Sequence, residues 1–185
     1  MAYEDYQPLW INGKTVGRGM RSCEDRYQSI ADYLQGRKGF SLIDIGAHSG
    51  YFTVRLAEEF KAKAVALDGY PALVEALAAQ GSRRVRAVHE YADPGLLQQL
   101  GDFDVGLCLS VLHHVDWWPQ MLTLMSSQCT TLFVECEWTA EATGPRAQRV
   151  RNTIATVEGL GGKLLSTSPT VDQAAMRPLY VIDKS

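Results

Sequence analysis

No run in this 185-residue chain approaches the ~18–20 consecutive apolar residues that a bilayer-spanning helix needs, so a helical membrane protein is not expected. The opening Met1-Ala2-Tyr3-Glu4-Asp5-Tyr6 has neither the basic start nor the apolar stretch of a secretory signal, and a cytoplasmic location is the expectation. Cysteine is scarce. Cys23, Cys108, Cys129 and Cys136 include no C-x-x-C pair, and Cys108 and Cys136 lie in apolar runs, which reads as reduced core thiols without a metal site. No sign of charge dominates: 18 Lys and Arg against 21 Asp and Glu leave −3, arguing against a surface that grips nucleic acid over its whole extent. A local basic patch, and with it an RNA partner, stays open. Repeats, linkers and low-complexity tracts are absent. The remainder is an ordinary globular composition, long enough to bury roughly 70% of its unfolded surface as one domain over residues 1–185.

Strands and helices alternate along the chain. Asn12-Gly13 sits between two short apolar stretches, the signal for a type I′ hairpin. Gly17 to Arg21 reads as a flexible basic loop. Ser22, with Asp25 three residues on, is a candidate cap for a helix presenting Tyr27, Ile30, Ala31 and Leu34. Further on, apolar strands are expected at 42–45, 64–68, 85–89, 103–110 and 131–135. Helices are expected from Pro71 to Gln80, after a cap at Asp93, after a cap at Asp116, and from Thr143 onward. Continuous apolar strands in strict alternation with helices predict a doubly wound, mostly parallel α/β sheet. The final pair, Lys163 to Ser166 and Leu179 to Ile182, has no helix between its members, so one strand should run antiparallel.

Leu42 to Phe52 is the stretch with the most chemical content. A strand ends in Asp44, a small-residue turn carries Gly46 and Gly50, and Phe52, Leu56 and Phe60 then mark a helix face. Such a turn offers backbone N–H groups to an anionic or polar ligand. A P-loop would need Gly-Lys-Ser/Thr, and a dinucleotide fingerprint would need glycine at 48 and 51, where His and Tyr stand. A structural turn without a ligand remains an alternative.

Asp44-Ile45-Gly46-Ala47-His48-Ser49-Gly50 resembles the first motif, D-x-G-x-G-x-G, of class I S-adenosylmethionine-dependent methyltransferases, with His48 in place of the middle glycine. The resemblance continues through Asp68, His89-Glu90-Tyr91-Ala92-Asp93 and Ser110-Val111-Leu112-His113-His114-Val115, and covers roughly residues 40–185. It implies a Rossmann-like seven-stranded sheet of order 3-2-1-4-5-7-6, the last strand antiparallel, with helices on both faces. It also implies S-adenosyl-L-methionine as cofactor and S-adenosyl-L-homocysteine as product. Gly46, Ala47, His48 and Gly50 would then approach the methionine and ribose, and Asp44 would attract the ammonium. Asp68 would accept the two ribose hydroxyls, which a carboxylate can do bidentately. Gly69, Tyr70, Glu90 and Tyr91 would frame the adenine, and Ser110 would border the cofactor. A helix cap is the alternative for Asp68. His48 either turns aside or reaches toward the acceptor.

The acceptor, by the same resemblance, lies beyond the fourth strand of the sheet, where His113 and His114 are candidate bases. Neither [DNS]-P-P-[YFW] nor a Pro-Cys pair follows that strand, which disfavours methylation of exocyclic amines or cytosine C5 in DNA. Lys14, Arg18 and Arg21 on one side, and Arg146, Arg149 and Arg151 on the other, are candidates to border this space with Trp117, Trp118 and Trp138. They could hold an anionic or aromatic acceptor, or an RNA end. Arg21 is singled out as partner for the cofactor carboxylate or an acidic substrate. The expectation is a methyltransferase for a small molecule or a terminal group, with residues 1–39 as a lid. Alternatives are an RNA or nucleotide methyltransferase using the Arg-rich N-terminal loop, a non-catalytic cofactor-binding subunit, and a nicotinamide-dependent dehydrogenase.

Overall fold

The computed structural model describes residues 6–137, 144–171 and 175–185. A two-stranded hairpin of β1 (Leu9–Ile11) and β2 (Lys14–Val16) comes first, then α1 (Glu24–Tyr33). The sheet follows: β3 (Ser41–Ile45), α2 (Tyr51–Glu59), β4 (Lys63–Leu67), α3 (Leu73–Gln80), β5 (Val85–Val88), α4 (Pro94–Leu100) and β6 (Phe103–Leu109). A single 3-10 turn at Leu112–His114 leads to α5 (Trp118–Gln128), β7 (Cys129–Glu135), α6 (Gly144–Gly159), β8 (Lys163–Pro169) and β9 (Met176–Asp183). The seven-stranded order is β5-β4-β3-β6-β7-β9-β8. β9 is antiparallel to both neighbours and the other pairings are parallel. This is the expected order.

Strand periodicity assigns each side chain to a face. Leu42, Val105, Leu107, Leu109, Phe133, Leu179 and Val181 pack with Tyr27, Ile30, Phe52 and Leu56 from α1 and α2. Their alternates Ile43, Ile45, Cys108, Leu132, Val134, Tyr180 and Ile182 pack with Leu97, Met121, Met125 and Val157 from α4, α5 and α6. Asp44 and Glu135 therefore fall on the face covered by α1 and α2. All four cysteines are buried free thiols, as read from the sequence. Among the described residues no helix is long and apolar enough to cross a membrane, and no cluster of metal-ligating side chains occurs.

The hairpin turns at Asn12 (φ 51°) and Gly13 (φ 76°), the type I′ signature. It is tied down rather than loose. The Trp10 N–H donates to Gln80 Oε1 at 2.8 Å, and Gln80 in turn donates to the Ser49 carbonyl at 2.7 Å. Arg55 of α2 lies 4.3 Å from the Trp10 ring and 3.7 Å from the Tyr27 ring, and pairs with Glu24 at 2.6 Å. One guanidinium thus joins the hairpin, α1 and α2.

Three expected helix starts are corrected. α1 begins after Cys23 with no side-chain cap, so Ser22 does not serve. α5 begins after Trp117, also uncapped, while Asp116 is exposed; Pro119, whose fixed φ suits a first turn, is the helix's second residue. Pro71 lies in the turn before α3, which starts at Leu73. Asp93 does cap α4, accepting from the Leu96 N–H at 2.9 Å.

Candidate active site

The site is assembled where β3 gives way to α2. Gly46 has φ 76°, and a β-carbon there would approach Val111 Cγ2 to 2.8 Å; Gly50 has φ 82°, and one there would strike Leu77. Both glycines are required by backbone sign and by space. His48 also adopts positive φ, 53°, and its ring stacks on Tyr70 at 4.2 Å with an interplanar angle of 11°. The Tyr6 ring stands 5.4 Å away. The side chain at the middle position of the motif is therefore turned toward the entry of α3. The Ala47 carbonyl accepts from the Gly50 N–H at 2.8 Å, and the Leu67 carbonyl accepts from Gly46 and Ala47. These bonds lock the turn to β4.

Asp44 is buried beneath this turn, and its carboxylate accepts from Thr53 Oγ at 2.5 Å. Burial pushes its pKa up to about 7, against the lowering effect of the Thr53 bond and with a small further rise from Asp68. Asp68 lies just past β4. Its two carboxylate oxygens accept one backbone N–H each, from His48 at 2.7 Å and Tyr70 at 2.8 Å. A carboxylate offers about four lone-pair positions, so two remain for a ligand. Asp68 is not the cap of α3, whose first turn follows Ala72. The Tyr91 ring lies over Gly69, where a β-carbon would come within 2.5–2.7 Å of it, and Tyr91 and Glu90 are both exposed. Only glycine at 69 lets this tyrosine close over the turn.

A second polar cluster joins the carboxyl ends of β6 and β7. Glu135 is 1% exposed. The Arg21 guanidinium forks onto it at 2.8 and 2.5 Å, and Arg26 Nη1 reaches it at 3.2 Å. Ser110, at φ 57°, donates its hydroxyl to Glu135 in a short bond and accepts from Arg21 and Arg177, each at 2.9 Å. Ser168 donates to Glu135 at 3.1 Å. Burial alone would raise the Glu135 pKa, but the Arg26 and Arg21 cations and the Ser110 bond outweigh it and hold the carboxyl at about 2. Arg21, singled out from the sequence as a partner for a cofactor or substrate carboxylate, thus spends its fork on Glu135. Sequence reading missed Glu135, Arg26, Ser168 and Arg177. The signal available for Glu135 was an acid ending an apolar strand, the same pattern that pointed to Asp44 and Asp68.

Beyond β6 the ring centroids of His113 and His114 are 3.9 Å apart. His113 is half-buried, and its pKa is pushed down to about 4, chiefly by burial and next by His114. His114 is exposed. Glu137 is engaged by Arg146, and Arg149 donates to the Leu112 and Val115 carbonyls at 3.0 and 2.5 Å. Arg149 therefore braces the loop after β6, while Arg146 holds Glu137 just past β7. Leu112, His113, Glu137, Arg149, Val150 and Thr153 line a small pocket there. Trp117 and Trp118 pack against the core under this loop. Trp138 lies outside the described residues.

Residues 42–131 match the family described as "Methyltransferase domain". Solved structures share the fold. WbdD superposes with a TM-score of 0.73 at 17% identity, over 90% of this chain and 41% of its own, so the present chain spans about two fifths of that protein. The N-terminal domain of EvdMO1, solved in the presence of SAH and D-fucose, gives 0.66 at 17% identity over 98% and 92%. Magnesium protoporphyrin IX methyltransferase (ChlM) from Synechocystis PCC 6803, with bound SAM, gives 0.64 at 16% identity over 88% and 79%. No curated protein sequence matches. The seven-stranded sheet of order β5-β4-β3-β6-β7-β9-β8 is the fold that the present chain shares with these structures. The match to the methyltransferase-domain family thus covers β3 to the start of β7, and the fold is shared with structures solved with SAM or SAH bound.

Proposed function

We propose that this protein is a methyltransferase that uses S-adenosylmethionine and methylates a small molecule or a terminal group of a larger one. The observation that carries this reading is Asp68, held by two backbone N–H groups with lone pairs to spare, facing a turn in which Gly46 and Gly50 leave no room for side chains. Asp68 would hold the ribose hydroxyls, Gly46 and Gly50 would admit the methionine and ribose, and Asp44 would face the ammonium. Tyr91 and Gly69 would border the adenine. When bound, the cofactor supplies an electrophilic sulfonium methyl group.

The protein's own part is alignment and water exclusion. The hairpin and α1, anchored through Arg55 and Gln80, serve as the cap over this end of the sheet. His113, neutral at ordinary pH, would accept a proton from an acceptor hydroxyl.

Calorimetry with S-adenosylhomocysteine and NAD tests the reading. The first should bind and NAD should not. Asp68→Ala should weaken S-adenosylhomocysteine roughly 10- to 100-fold, the loss of one or two charge-assisted hydrogen bonds. Unchanged affinity would remove Asp68 from the site. Once an acceptor is in hand, His113→Ala should lower turnover by about 10²–10⁴-fold. The acid limb of the wild-type rate profile should lie near 4. An acid limb that vanishes in His114→Ala would transfer the role to His114.

A further inference from the structure

We propose that the methyl acceptor is an anion whose carboxylate or phosphate group docks on Arg177. The proposal rests on the methyltransferase reading above. β9 runs antiparallel, so its first residues, not its last, stand at the carboxyl ends of β6 and β7. In open α/β sheets ligands bind outside those ends, at the point where the strand order reverses, here between β3 and β6. Arg177 is tied directly to that point. Its Nη1 donates to Ser110 Oγ at 2.9 Å, and the next residue, Val111, is the one packed against Gly46 of the cofactor turn.

The cluster around Arg177 carries excess positive charge. Arg21 and Arg26 both engage the one carboxylate of Glu135, and Arg177 joins them through Ser110, whose hydroxyl donates to Glu135. Glu137 is taken up by Arg146. Among the described residues no carboxylate lies within 4 Å of the Arg177 guanidinium, and its buried Nε has no hydrogen-bond partner. A partly buried guanidinium with an unmade N–H bond costs free energy that an anionic oxygen would offset. Its planar fork suits carboxylate and phosphate alike. Glu135 spends its two oxygens on Arg21, Arg26, Ser110 and Ser168. Ser110, at positive φ, fixes the guanidinium from beneath.

The test uses the full chain saturated with S-adenosylhomocysteine, labelled with ¹⁵N-arginine, and titrated with inorganic phosphate or acetate against chloride at constant ionic strength. The Arg177 Nε–H signal, assigned by its absence in Arg177→Lys, should shift saturably with phosphate, acetate or both; which of them saturates first tells phosphate from carboxylate. Arg177→Gln should weaken calorimetric binding of the same probe at least tenfold. Arg83→Gln, at the opposite end of the sheet, should match wild type. S-adenosylhomocysteine affinity should stay within about twofold in Arg177→Gln, with Arg177→Lys confirming that the fold survives substitution at this position. A signal that responds to neither probe beyond chloride overturns the proposal. So does a tenfold loss of S-adenosylhomocysteine affinity in Arg177→Gln, which would assign the arginine to the cofactor's own carboxylate. Failure of wild type to bind S-adenosylhomocysteine would instead strike the methyltransferase reading.

Discussion

Glu135→Gln is expected to destabilise the protein by roughly 3–5 kcal/mol at pH 7, the cost of leaving buried charge uncompensated. The glutamine keeps the volume and one acceptor but removes the negative charge between Arg21 and Arg26, both almost wholly buried. The replacement also leaves Ser110 and Ser168 with a poorer acceptor. The sign of the pH dependence follows from the folded-state pKa. Glu135 is held at about 2, below its ordinary 4.5, so its contribution is complete above pH 4.5 and is lost as pH falls toward 2. Over that window the wild type should lose about 3 kcal/mol that Glu135→Gln does not. Urea unfolding at pH 7 and pH 3 would show the gap between the two proteins narrowing. A gap that stays constant would mean Glu135 is not ionised in the fold. Because the charges are buried, added salt should change the gap little.

Asp44→Asn should do the opposite, between about pH 4 and pH 7. The Asp44 carboxyl titrates at about 7 in the fold against an ordinary 3.8. The folded state therefore binds more protons than the unfolded chain between those values. Stability is greatest below pH 3.8 and falls as pH rises toward 7, by roughly 4 kcal/mol relative to a side chain that does not titrate. Asp44→Asn removes that slope, and melting temperatures measured from pH 4 to pH 8 would converge with or pass those of wild type. An ammonium brought near Asp44 favours the carboxylate. S-adenosylhomocysteine should accordingly bind wild type more tightly as pH rises through 7, releasing a proton that calorimetry in buffers of different ionisation enthalpy detects. The Asn variant should bind more weakly, without that proton release. Equal proton release in both proteins would exclude Asp44 as its source.

These two carboxyls lie on the same face of the same sheet yet titrate in opposite directions. Among the described residues Asp44 meets the Thr53 hydroxyl and a second acid, so burial decides; Glu135 meets two guanidiniums, so charge decides. Nothing in Leu42-Ile43-Asp44 or Phe133-Val134-Glu135 alone distinguishes them. The partners come from residues 21 and 26, more than a hundred positions from Glu135 along the chain.

Local rules made much of the rest readable. Period-two alternation and apolar runs gave the strands, Asn12-Gly13 the hairpin, and the antiparallel last strand followed from a connection too short in helical pattern for a crossover. Gly46 and Gly50 were legible because backbone sign is a property of the residue itself. His48 was not: its sequence position allowed it to face either way, and only the Tyr70 ring across the β4–α3 turn provides the surface on which it stacks. Helix starts at Ser22 and Asp116 were misread because a capping side chain competes with the path of the preceding loop, which packing sets. By itself, then, the sequence determined the alternation of elements, the glycine turn and the acids Asp44 and Asp68 beside it. Tertiary structure decided which acid stays protonated, where His48 lies and which arginine keeps a free N–H. Periodicity and backbone sterics act between near neighbours, whereas charge pairing and desolvation depend on what the folded chain brings together from a distance.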